Sequence, residues 1–84
     1  MIFMIAHVYV NPKKTVLDPQ GATIQSALIG LGFTAVESVR QGKHFEIELS
    51  SRLTSEEARK QVERIAKEVL TNPVIEDFTY RLDE

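Results

Sequence analysis

His7 and His44 are the only imidazoles in the chain, and so the first candidates for a metal site or for proton transfer. Both fall in stretches that read as strands, and nothing around them has the ligand spacing of a zinc centre. The chain has no cysteine, which excludes disulfide staples and thiolate metal sites. Ser26, Ser38, Ser50, Ser51 and Ser55 sit at loop or helix-edge positions, and no Ser/His/Asp set assembles from the pattern. Glu46, Glu48, Glu76 and Asp77 offer paired carboxylates. Carboxylates alternating along strands belong more readily to a solvated or interface face than to an acid–base pair. Arg40 and Lys43 flank Gly42 in a way that suits a phosphate, but no glycine-rich run leads into a helix there. The plainer reading is a turn between strands with solvated cations on either side. No catalytic constellation emerges.

The elements that hold these residues follow from periodicity. Residues 2–10 are rich in β-branched and aromatic types and predict a strand, with Pro12 stopping its ladder. Met4, Ala6, Val8 and Val10 share one face of it, and Phe3, Ile5, His7 and Tyr9 the other. A helix is predicted from Asp18 to Leu31, where Ile24, Ala27, Leu28 and Leu31 recur at helical spacing. Gly32 suits the left-handed residue that ends it. Val36–Arg40 and Lys43–Ser50 predict two strands joined by a tight turn at Gln41-Gly42. In the second of these, Phe45, Ile47 and Leu49 alternate with His44, Glu46 and Glu48. Thr54-Ser55-Glu56-Glu57 reads as a capping box opening a second helix, whose apolar face is Ala58, Val62, Ile65, Ala66 and Val69. Glu56/Lys60 and Glu63/Lys67 pair on its outer side, each worth about 0.2–0.5 kcal/mol. Pro73 ends the helix, and Val74–Leu82 is the last strand.

The order βαββαβ predicts a single α+β domain over residues 1–84, a ferredoxin-like plait. Its four-stranded antiparallel sheet carries two helices on one face. Two helices cover only that face, so Phe3, Ile5 and Tyr9 on the other predict self-association as a homodimer or tetramer. A net charge of −2 and the lack of an aromatic-basic surface pattern argue against nucleic acid and anionic membranes as partners. Met1–Ala6 is too short to span a bilayer and lacks the basic flank and cleavage site of a signal peptide, so a cytoplasmic location is expected.

Three local motifs add to this. Asp18-Pro19-Gln20-Gly21 is a helix start, with Asp18 as N-cap and Pro19 at the first position. Gly21 is unfavourable there unless something packs close to the backbone. Val39-Arg40-Gln41-Gly42-Lys43 and Asn72-Pro73-Val74-Ile75-Glu76-Asp77-Phe78 follow in order. With these three motifs the chain resembles, from Val8 to Tyr80, the small (PurS) subunit family of phosphoribosylformylglycinamidine synthase.

The resemblance implies a subunit without catalytic, cofactor or metal-binding residues of its own. The synthase makes formylglycinamidine ribonucleotide, glutamate, ADP and phosphate from formylglycinamide ribonucleotide, glutamine and ATP, in purine biosynthesis. Its partners would be a glutaminase subunit and a large synthetase subunit, with ATP and Mg on the latter. The small subunit would bridge the two and assist ammonia transfer. The motif positions Asp18, Pro19, Gln20, Gly21, Arg40, Gly42, Lys43, Asn72 and Pro73 would be partner contacts. A competing reading is a small-molecule-sensing regulatory domain, which ligand-induced stabilisation would reveal. A third is a stand-alone enzyme using Glu or His on the open sheet face, which would need turnover without partners.

Overall fold

Alternating apolar and polar residues drive three segments of the computed structural model, which describes residues 3–84, into one antiparallel sheet. β1 (Phe3–Pro12) is central, with β2 (Lys43–Ser50) on one side and β3 (Glu76–Asp83) on the other. The register puts Ala6 opposite Ile47 and Leu82, and Val8 opposite Phe45 and Tyr80. One sheet face is therefore continuous apolar surface. α2 (Ser55–Ile65) lays Val62 on that face, and Ala66 follows at the start of a π-helical turn, Ala66–Leu70. These two residues form the buried core with Ala6, Val8 and Val10. Thr54 caps α2 in a reciprocal box with Glu57. Glu56 pairs with Lys60 as its spacing suggests. Glu63 instead accepts a hydrogen bond from the Tyr80 hydroxyl at 2.8 Å, tying α2 to β3.

α1 (Pro19–Gly30) begins and ends as expected. Gly32 takes a φ of +103°, and the N–H groups of Gly32 and Phe33 close on the carbonyls of Ile29 and Leu28. However, α1 contributes no residue to the core, and Gly21 is its only buried one.

The sheet of the single chain has three strands, and Val36–Arg40 does not form the fourth. Its polar groups are drawn elsewhere. The Gln25 side-chain amide donates to the carbonyls of Val36 and Glu37, and the Asp18 carboxylate takes the Gln41 N–H. The segment thus runs with α1 rather than along β2, and Gln41-Gly42 is not a hairpin turn. β1 also continues two residues further than predicted. Asn11 and Pro12 pair with Asp77 and Glu76, Pro12 being tolerated as the terminal residue. β3 starts at Glu76 because Asn72 folds residues 72–76 into a turn.

Candidate functional site

At the end of the sheet where Pro12, Lys43 and Glu76 meet, all three sequence motifs converge. Asp18 is the first hinge of this junction. As N-cap its Oδ1 accepts the Gly21 N–H at 3.1 Å, while Oδ2 accepts the Gln41 N–H at 2.8 Å. The Gln41 N–H foremost, then that of Gly21, holds the carboxyl below its ordinary value. Pro19 fills the first helical position, and Gln20 is exposed beside it. The odd glycine now has a reason: a Cβ on Gly21 would overlap the carbonyl oxygen of Val39. Gly42 is equally confined, for a Cβ there would lie 2.7 Å from the Val10 carbonyl oxygen and would overlap the Asn11 side chain.

Arg40 reaches across to the carbonyls of Pro12 (3.1 Å) and Lys13. Lys43 meets Glu76 at 3.6 Å. Both cations of the suspected phosphate cradle are thus engaged within the chain, which makes them structural ties. Glu76 is the second hinge, and sequence reasoning passed over it as a surface carboxylate. Its side chain is only 16% exposed. One oxygen faces Lys43 and the other accepts the Asn72 N–H at 2.9 Å. Asn72 turns the corner, its carbonyl accepting from Ile75 and Glu76 and its Oδ1 from Val74. Ile75 in turn accepts from Lys13 N–H at 2.9 Å. Beside this corner lies an open cleft of about 370 Å³ lined by Lys67, Thr71, Pro73, Glu76, Asp77 and Phe78. The Thr71 hydroxyl is buried without a partner.

The histidines lie elsewhere, on the sheet face turned away from α2. His7 Nε2 is hydrogen-bonded to the Asp83 carboxylate at 3.1 Å, and its Nδ1 to His44 Nε2 at 3.0 Å. Tyr9 stacks on His44 with ring centroids 4.9 Å apart. Ile5 and Tyr9 share this half-buried face, among the polar side chains of β2 and β3. The Phe3 side chain, expected beside them, lies outside the described residues. Among the described residues, the Asp83–His7–His44 chain ends on no serine or other nucleophile.

Fold and site thus define a small α+β module, a three-stranded antiparallel sheet with two helices, whose sequence motifs meet in backbone junctions at one sheet end. The PurS family profile, described as phosphoribosylformylglycinamidine (FGAM) synthase, matches residues 5–84, and the chain belongs to this family. The PurS subunit of Bacillus subtilis (strain 168) is 40% identical over 81 residues, covering 92% of this chain and 89% of that protein. The crystal structure of Methanocaldococcus jannaschii PurS, described as a subunit of formylglycinamide ribonucleotide amidotransferase in the purine biosynthetic pathway, is 37% identical. It superposes with a TM-score of 0.83 over 96% of each chain. A chain in the structure of PurLQS from Thermotoga maritima, 29% identical, gives a TM-score of 0.85 over 98% of this chain and 99% of that one. As a member of this family the chain is a subunit of phosphoribosylformylglycinamidine synthase, an enzyme of purine biosynthesis.

Proposed function

We propose that this chain, as one domain, bridges the glutaminase and the large synthetase subunit of the synthase and assists ammonia transfer between them. ATP and Mg act on the large subunit, where the amide oxygen of formylglycinamide ribonucleotide is activated before ammonia adds. The assembly is cytoplasmic. Ammonia released into water diffuses away and is protonated, so the two sites need a contact that excludes water. A subunit that only holds two enzymes in register needs no nucleophile.

The observation that carries this reading is the convergence of the three motifs on one end of the sheet through Asp18, Arg40 and Glu76. Pro19, Gln20, Asn72 and Pro73 are left exposed there as surface for a partner, while Gly21, Gly42 and Lys43 fix the backbone beneath them. The open cleft beside Asn72-Pro73, with the unpaired Thr71 hydroxyl, suits an inserted partner side chain. The chain acts as a homodimer or tetramer, and the complete plait has four strands, with Val36–Arg40 as the fourth. The face of Ile5 and Tyr9 is a further contact between copies.

Hydrogen–deuterium exchange of the chain alone and in the three-subunit assembly tests the contact assignment. Protection gained at 17–21, 39–43 and 71–74 is expected. Protection confined to other segments would remove these motifs from the interface.

A further inference from the structure

We propose that His7 and His44 share one bridging proton and form a two-step acid switch on the sheet face turned away from α2. The first proton added to the pair leaves its geometry intact, and the second drives His44 off His7 and Tyr9. The switch is a property of the chain itself and does not depend on the bridging role.

Three observations carry it. The first is the geometry of the pair. The two nitrogens stand 3.0 Å apart, the ring centres 5.2 Å, and the ring planes differ by 18°. The centre distance exceeds the nitrogen distance by about one ring radius on each side, so the rings meet edge to edge and nearly coplanar. Their hydrogen bond then lies along the lone-pair axis, the favoured orientation. Two nitrogens holding a zinc ion in line would stand about 4 Å apart, so this gap suits a proton. Such a bond needs one nitrogen with a hydrogen and one without.

The second is the partner at the far side of His7. Its Nε2 meets the Asp83 carboxylate at 3.1 Å, and its side chain is only 12% exposed. An imidazolium at His7 donates from both nitrogens, to Asp83 and to a neutral His44, so the pair keeps its bond with one added charge. A second added proton sets two N–H groups head to head. Neither can accept, and two like charges face each other across the same short gap.

The third is what surrounds the pair. The register sets Glu46 and Arg81 opposite His7, Glu48 and Asp83 opposite Ile5, and Asp77 opposite Asn11. The acids draw protons to this face and Arg81 opposes them. Asp83 is shared, since it also holds Arg81 at 3.2 Å. Tyr9 lies flat on His44, with centroids 4.9 Å apart and planes 10° from parallel, so its ring reports where His44 sits. Coupled groups of this kind lose and gain protons in two steps that belong to the pair. The unfolded chain takes both protons freely while the folded pair resists the second, so stability is lost as pH falls through the second step.

The test is 15N NMR of the wild-type chain carried from about pH 8 to about pH 5, the range in which histidine changes charge. At the upper end we expect a scalar coupling across the hydrogen bond between His7 Nδ1 and His44 Nε2. In the first step the imidazole nitrogen resonances move while that coupling and the Tyr9 ring resonances hold. In the second the coupling is lost and the Tyr9 ring moves. Absence of the coupling throughout overturns the switch. So does its survival with both rings charged, or its loss in one step with a single midpoint. His44→Gln gives a separate readout. Over the same range the melting temperature of the wild type should fall further than that of the variant, and equal falls would also overturn the switch.

Discussion

Gly21 and Gly30 lie in the same helix and ask opposite things of an alanine. Helix propensity alone favours alanine at either position by about 0.5–1 kcal/mol. A methyl group on Gly30 meets nothing within 4 Å, so Gly30→Ala should raise the melting temperature. On Gly21 it meets the backbone of Val39, which has no flexible end to yield. Gly21→Ala should therefore lower stability, by about 1–3 kcal/mol as for other overpacked sites. Thermal denaturation of the two variants gives the signs directly, and equal shifts would refute the close approach. Asp18 supplies a second test. Its carboxyl is held below the ordinary 3.8 by hydrogen bonds from Gln41 and Gly21 that exist only in the folded chain. A lowered folded value means that its contribution is complete above the unfolded value and is lost as pH falls through the folded one. The amide resonances of Gln41 and Gly21 should thus move together with one midpoint below pH 3.8. In Asp18→Asn that shared step should vanish. Independent midpoints for the two amides would mean that Asp18 does not join helix and strand.

At the scale of elements, what was legible in the sequence is what local pattern encodes. The alternation of Phe45, Ile47 and Leu49 gave β2 to the residue, and Thr54 with Glu57 gave the start of α2. Gly32 gave the end of α1. Val36–Arg40 pairs with no strand of its own chain, because the carbonyls of Val36 and Glu37 go to Gln25 and the adjoining Gln41 N–H to Asp18, partners that no local pattern reveals. Glu76 was missed as a hinge for the same reason. Its partner Lys43 lies far away in sequence, and only the pairing of β1 with both neighbours brings them together. The motif positions were legible as points of backbone constraint, whereas their meeting at one sheet end needed the topology. The sheet face of Ile5 and Tyr9 makes its own prediction. Tyr9 stacks on His44, and Tyr9→Asp places a charge on the face proposed to meet a second copy. Sedimentation equilibrium should show association weakened about tenfold or more. A variant that sediments like the wild type would take Tyr9 out of the interface.

For the whole molecule, the same economy appears throughout. A chain of 84 residues has room for one small core, and that core is Ala6, Val8 and Val10 under Val62 and Ala66. Much of its remaining apolar surface, from Leu17 and Ile24 to Val69 and Val74, stays exposed and is available to other chains. Membership of the PurS family joins this surface to phosphoribosylformylglycinamidine synthase. The most direct test of the bridging role is synthase turnover by the purified large and glutaminase subunits, with and without this chain, using either glutamine or ammonium as nitrogen source. The account predicts that glutamine-driven turnover requires the chain while ammonium-driven turnover proceeds without it. Glutamine-driven turnover that is indifferent to the chain would contradict it.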